Sequence, residues 1–341
     1  MFERGLGPWG WPLAPLFSSL VQIRNWSFDW GLRKQFGCEV PVLSIGNLSM
    51  GGAGKTPITR DLAKRFVQMD RKCVVLSRGY KRQSTQDEWV DPSGSAARYG
   101  DEPLLLALGD SAPQVWVSNQ RARFAPQLVA QTDCEVLLLD DGFQHRALKR
   151  NADWVLVDVS QGPPRPFPVK WFREGSRALK RADTLVFTRV SAFGQLPAWA
   201  EKLASQFDTL SQFQTRFEAQ HLQRLDGFCQ PLSVLQGRPI GVYCGLAQPQ
   251  KFLDDLRQLG ADIRLEWRLP DHGVLDQKPF LAACRKANVD WVVTTEKDAV
   301  KLDKKTSSDI IFHFIPISVL WDQPQMLEKN LADFISSKGR L

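Results

Sequence analysis

The chain has 341 residues, of which 43% are hydrophobic and 24% charged, with a net charge of +7 and a pI near 9.1. This composition excludes a disordered or low-complexity chain, and the length favours two domains over one. The positive excess suits an acidic partner: a phosphorylated substrate, anionic lipid or nucleic acid. Six cysteines (Cys38, Cys73, Cys134, Cys229, Cys244 and Cys284) lie far apart with no C-x-x-C pair. That spacing argues against a zinc site or a disulfide framework and for a reducing, cytoplasmic compartment.

Residues 9–34, WGWPLAPLFSSLVQIRNWSFDWGLRK, carry four tryptophans and three basic residues. Read as a helix from about Leu16, the spacing brings Leu16, Leu20, Ile23 and Trp30 to one face. Pro12, Pro15 and the Ser18-Ser19 pair interrupt the apolar run well before the roughly 20 residues of a membrane span. Arg24, Arg33 and Lys34 beside interfacial tryptophans suit an anionic bilayer surface, with packing onto the protein's own core as the alternative. A cleavable signal peptide is not expected, because no basic n-region precedes a clean apolar stretch.

The run Val42–Pro57, VLSIGNLSMGGAGKTP, places a buried strand, a glycine cluster and a helix start in consecutive positions. Such a loop cradles phosphate. Its expected nucleotide-binding residues are Ser49, Gly51, Gly52, Ala53, Gly54, Lys55 and Thr56: backbone N–H groups turn around the anion, Lys55 reaches the β- and γ-phosphates, and the Thr56 hydroxyl suits Mg²⁺. A strict P-loop has Gly where this chain has Ser49.

A helix over residues 56–69 and a strand at 72–77 complete a βαβ unit, and the strand runs into the basic turn Arg78-Gly79-Tyr80-Lys81-Arg82. Asp101 and Glu102 open an apolar helical run and suit its first turn. After a strand at 114–117 and a helix around 121–131, the strand at 135–139 ends in Asp140-Asp141-Gly142-Phe143-Gln144-His145. Two carboxylates there, downstream of a P-loop, resemble a Walker B element, with Thr56, Asp140 and Asp141 as candidate metal ligands. Strands at 153–158 and 184–188 flank a basic, proline-rich loop at 161–181 that could face a phosphate or a membrane.

Residues 211–236 read as two short strands with a turn at Asp226-Gly227, linking to a second alternating unit. That unit is expected as strand 238–246, helix 249–260, strand 262–268, helix 276–287, strands 290–295 and 311–317, and a C-terminal helix. Pro270-Asp271-His272-Gly273 sets a His beside an Asp on a loop, a pair suited to proton handling. Thr294-Thr295-Glu296-Lys297-Asp298 has the wrong spacing for a guanine-reading element, since Lys297 and Asp298 are adjacent.

In order, GNLSMGGAGKTP, SRGYKR, GDEPLLLA, LDDGFQHRALKR, PDH and TTEKDAVKL resemble the tetraacyldisaccharide 4′-kinase family, in which the atypical loop with Ser49 also appears. The resemblance implies transfer of the ATP γ-phosphate, with Mg²⁺, to the 4′-hydroxyl of a tetraacylated glucosamine disaccharide 1-phosphate, giving lipid IVA in lipid A biosynthesis. It also implies a peripheral or monotopic enzyme on the cytoplasmic face of the inner membrane, with the acylated disaccharide and the membrane surface as partners and no nucleic acid. Carried onto this chain, the family's base pair becomes Asp101 with His272, and Lys55 joins them as catalytic. Two departures stand out: Gly273 replaces a second His, and residues 162–175 (GPPRPFPVKWFREG) differ from the family's usual stretch around Arg173 and Glu174.

The expected fold is therefore α/β, a P-loop NTPase-like doubly wound sheet with a second, smaller α/β domain and an N-terminal membrane-associated helix. The expected division is 1–35 amphipathic segment, 36–210 P-loop kinase domain, 211–236 two-stranded linker and 237–341 smaller domain completing the active-site cleft. A membrane-peripheral P-loop GTPase switch is the main alternative, and a non-catalytic basic protein the third class.

Overall fold

The computed structural model describes residues 12–109, 111–165, 167–246, 249–302 and 309–336. Residues 1–11, including Trp9 and Trp11 of the expected N-terminal segment, lie outside them. The first half runs α1 (Ala14–Asp29), β1 (Val42–Asn47), α2 (Lys55–Gln68), β2 (Cys73–Ser77), β3 (Glu88–Trp89), α3 (Ala96–Tyr99), α4 (Asp101–Leu106), β4 (Gln114–Val117), α5 (Arg121–Ala130), β5 (Val136–Asp140), β6 (Ala152–Asp158), β7 (Thr184–Thr188) and α6 (Ala198–Gln206). There follow β8 (Ser211–Ala219), β9 (Leu222–Arg224), β10 (Cys229–Gln230), β11 (Pro239–Cys244), α7 (Pro249–Gln258), β12 (Asp262–Arg268), α8 (Gln277–Lys286), β13 (Trp291–Thr295), α9 (Glu296–Ala299), β14 (Ile311–Ile315), β15 (Ile317–Trp321) and α10 (Pro324–Ser336).

These strands form two sheets, a nine-stranded one in the order β15-β8-β7-β6-β1-β5-β2-β4-β3 and a six-stranded one in the order β10-β9-β14-β13-β11-β12. In the larger sheet β1 lies parallel between β5 and β6, so the P-loop and the strand carrying Asp140 emerge side by side. Strands β1, β2, β5 and β7 are buried at every position, as continuous apolar runs covered on both faces should be. One face packs Ile58, Leu62 and Phe66 of α2 with Leu327, Leu331 and Phe334 of α10. The other packs Ala122, Ala125 and Leu128 of α5 around Leu137 and Leu139. The six cysteines are free thiols and all but Cys229 are buried.

The chain divides differently from the expected boundaries. Strand β8 is no linker: it pairs in parallel with β7 and antiparallel with β15, inside the larger sheet. The expected strand 311–317 is two, because β14 ends in the smaller sheet and β15 returns to the larger one. The stretch from Ile317 to Ser336, expected in the smaller unit, thus contributes to the larger core, where Trp321 meets Trp154 and Phe213 edge-on. The physical cause is that alternation marks a strand while leaving its partner open.

Helix α1 buries only Ala14, Asn25 and Phe28. Leu16, Leu20, Ile23 and Trp30 are 58–69% exposed, so the face grouped by sequence periodicity points away from the protein. Among the described residues no helix is long and apolar enough to cross a membrane.

Candidate active site

The turn from β1 to α2 is built by short-range polar contacts. Gly54 caps α2 in the left-handed region, at φ 82°, which favours glycine. A Cβ there would also stand 2.4 Å from Cζ of Phe217. Gly51 and Gly52 face open space, leaving their backbone accessible to an anion. Ser49 and Ala53 turn inward instead: Ser49 Oγ accepts from Asn47 Nδ2 at 2.7 Å, and the Ala53 carbonyl accepts from Thr188 Oγ1 at 3.0 Å. Lys55 donates to Asn47 Oδ1 at 3.2 Å and lies 3.5 Å from Asp141. Thr56 follows in the first turn of α2, half-buried.

The two carboxylates after β5 have opposite environments. Asp141, at φ 49°, accepts from Arg173 Nη1 at 2.8 and 2.9 Å. Burial opposes its ionisation, yet Lys55 and Arg173 hold it well below the usual carboxylate range. Asp140 is 3% exposed. Its Oδ2 accepts from Ser77 Oγ at 2.9 Å, while its buried Oδ1 has no protein partner. Burial, then the charges of Glu102 and Asp141, push Asp140 up to about 6. An orphaned carboxylate oxygen beside the Thr56 turn is the hard-oxygen environment that suits Mg²⁺.

The fold brings Asp101 at the start of α4 to His272 on the loop after β12. His272 Nδ1 lies 2.8 Å from Oδ2 and 3.0 Å from Oδ1 of Asp101. A carboxylate only accepts, so Nδ1 carries the proton and a neutral His272 keeps its lone pair on Nε2. Burial would raise Asp101, but the His272 hydrogen bond with the charges of Lys297 and Lys301 holds it down at about 2. His272 adopts φ 64°, a strained backbone for a non-glycine residue. Gly273 donates its N–H to the Pro270 carbonyl at 2.7 Å to close the turn. A Cβ at 273 would stand 2.8 Å from that carbonyl oxygen, so the turn as folded suits glycine there.

Several residues that carry this site were not legible as functional. Arg173 binds Asp141 rather than facing open solvent, and Arg181 holds both oxygens of Glu174 at 3.0 Å. Glu174 also accepts from Asn25 of α1 at 2.9 Å, so the basic loop joins the N-terminal helix to the P-loop. Of the basic turn after β2, Arg82 folds back onto Asp87 at 3.7 Å, whereas Arg78 is exposed. Burial and the charges of Arg121, Arg150, Arg24 and Arg78 push His145 down to about 3, leaving it a neutral ring. Asp298 is fully buried and accepts from the Gly245 N–H and Thr295 Oγ1, both at 2.8 Å, so it reads no base. In sequence, the basic loop at 161–181 and the basic turn after β2 showed the positive charge but not which carboxylate each arginine meets.

A P-loop, paired carboxylates and a His–Asp pair are the parts that phosphoryl transfer to a hydroxyl calls for. The comparisons with known proteins point the same way. The sequence model of LpxK, tetraacyldisaccharide-1-P 4′-kinase, matches residues 6–336. The tetraacyldisaccharide 4′-kinase of Desulfotalea psychrophila is 30% identical, covering 95% of this chain and 97% of its own. That of Syntrophobacter fumaroxidans is 36% identical, over 76% of this chain and 71% of its own. The apo form of LpxK from Aquifex aeolicus, in a crystal structure in complex with ATP, superposes with a TM-score of 0.76 at 27% identity, covering 95% of this chain and 98% of that one. With residues 6–336 matched by the family model and a relative 30% identical over nearly the whole of both chains, the chain belongs to the tetraacyldisaccharide-1-P 4′-kinase family.

Proposed function

We propose that this chain transfers the γ-phosphoryl group of ATP to the 4′-hydroxyl of a tetraacylated glucosamine disaccharide 1-phosphate, with Asp101 and His272 as the base pair. The observation that carries this reading is the 2.8 Å contact between those two side chains, which joins α4, packed against the P-loop helix α2, to the smaller unit's loop after β12. Family membership and the ATP-bound relative favour an ATP-dependent kinase over a GTPase switch.

In this reading Gly51, Gly52 and Gly54 wrap the phosphates, and Lys55 offsets charge at the β–γ end. The Thr56 hydroxyl and the free oxygen of Asp140 would hold Mg²⁺, which supplies charge neutralisation on the phosphates. Asp141, whose two oxygens already accept from Arg173, orients Lys55. His272 Nε2 accepts the hydroxyl proton late in the transfer, while Asp101 fixes the ring and offsets the imidazolium charge that forms. The larger sheet with α2 is the nucleotide-holding unit, and the smaller sheet carries the base over the cleft.

The exposed apolar face of α1, continued by Leu13 and Leu32, supports a peripheral seat on the cytoplasmic face of the inner membrane, where an acylated substrate resides. The deciding experiment is ATP-dependent phosphorylation of a tetraacyl disaccharide 1-phosphate in detergent, read as 4′-phosphate formed. GTP hydrolysis independent of the lipid, with no 4′-phosphate, would reject the proposal.

A further inference from the structure

The Thr294–Asp298 motif contributes a lysine that neither the P-loop nor the Asp101–His272 pair accounts for. Lys297 is fixed on both sides. Glu296 accepts from Nη1 and Nη2 of Arg60 at 2.5 and 2.8 Å, and Arg60 lies one turn beyond Thr56 on the helix that opens at the P-loop. Asp298 is locked in the smaller sheet by Gly245 and Thr295 and pairs with Lys301 at 2.8 Å. A cation supplied by the smaller unit is therefore held in register with the phosphate-binding helix.

The Lys297 ammonium lies 3.3 Å from His272 Nε2, 3.4 Å from Asp271, 3.7 Å from Glu102 and 3.9 Å from Asp101. Its side chain is 20% exposed. Glu102, whose charge also bears on Asp140, follows Asp101 in α4, so Lys297 bridges the base pair and the acid next to it. As it stands, Lys297 covers the lone pair that has to receive the hydroxyl proton. An acceptor hydroxyl can reach Nε2 only if the ammonium turns aside. A flexible four-carbon stem allows that turn, and an arriving triphosphate is a stronger partner than a neutral ring nitrogen.

We propose that Lys297 is a catalytic residue which exchanges His272 Nε2 for the phosphoryl group in transfer, contacting its non-bridging oxygens while the acceptor hydroxyl takes its place on the ring. The bond from the hydroxyl oxygen to the γ-phosphorus forms as the bond from that phosphorus to the β–γ bridging oxygen breaks. The electron pair of the broken bond leaves with ADP, and the hydroxyl proton goes to Nε2. Lys297 keeps its three protons and offsets the charge spread over the equatorial oxygens. This assignment rests on the Asp101–His272 reading.

The test compares Lys297→Met, Lys297→Arg and His272→Ala in the full-length enzyme with ATP and ATPγS, recording kcat, both KM values and the melting temperature. Lys297→Met should lower kcat by about 10²–10³ with both KM values within about threefold, and should shrink the ATP/ATPγS rate ratio because a γ-oxygen contact is gone. Lys297→Arg should recover part of kcat. A kcat within about threefold of wild type overturns the proposal while leaving the base pair intact. So does a loss in which kcat and both KM values shift together and the thio ratio stays put, which marks a structural bridge. If His272→Ala keeps the wild-type rate, the base-pair reading falls and this assignment falls with it. Lys297→Gln, which keeps two N–H donors, is read by the same criteria should the Met variant not fold.

Discussion

The side chains of Asp101 and His272 meet at 2.8 Å across a separation of 171 residues, one from the helix after the larger sheet's polar loop and the other from the smaller sheet. Because a carboxylate on Nδ1 leaves Nε2 as the acceptor, each residue has a separable task. His272→Ala should lower kcat by about 10²–10⁴, and Asp101→Ala by a similar factor, with little change in the KM for ATP. Steady-state kinetics on the lipid acceptor checks this; activity within a few-fold of wild type in both variants rules the pair out.

The same contact has an acid signature. Asp101 sits at about 2 in the folded chain, against about 3.9 unfolded, so its ionised form contributes roughly 2 kcal/mol of stability. A depressed carboxylate contributes fully above its unfolded pKa and loses the contribution as pH falls toward its folded one. Asp101→Asn should therefore be less stable than wild type by about that amount at pH 7, with the gap closing between pH 4 and pH 2. Urea unfolding at several pH values measures it, and a gap that does not change with pH would exclude ion pairing as its cause.

Asp140 behaves in the opposite sense. Its carboxyl is pushed up to about 6 by burial and by neighbouring acids, so the ionised form destabilises the nucleotide-free fold by about 2–3 kcal/mol at pH 8. Asp140→Asn should raise the melting temperature while abolishing most kinase activity, since Asn can still accept from Ser77 but carries no charge. A lower melting temperature in calorimetry would contradict this.

For α1, Leu20→Glu combined with Trp30→Glu should leave the melting temperature nearly unchanged, because both side chains are at least 60% exposed. The same pair should sharply reduce co-sedimentation with anionic phospholipid vesicles. Undiminished vesicle binding would remove α1 as the membrane seat.

Local order determined much of this protein. The β1–P-loop–α2 run, the Asp140-Asp141 strand end and the alternation of elements after residue 238 follow from period, glycine placement and apolar runs within a dozen residues. What the chain could not reveal locally was partner choice. That β8 and β15 pair with each other in the larger sheet, or that Arg60 reaches Glu296, depends on contacts across about 100 and 236 positions, for which alternation carries no signal. The two aspartates show the same limit. Side by side in sequence, they differ because β5 buries Asp140 without a partner for Oδ1 while the following turn delivers Asp141 to Arg173 and Lys55. Residue type and spacing named the chemistry, and tertiary packing assigned each charge its neighbours and so its task.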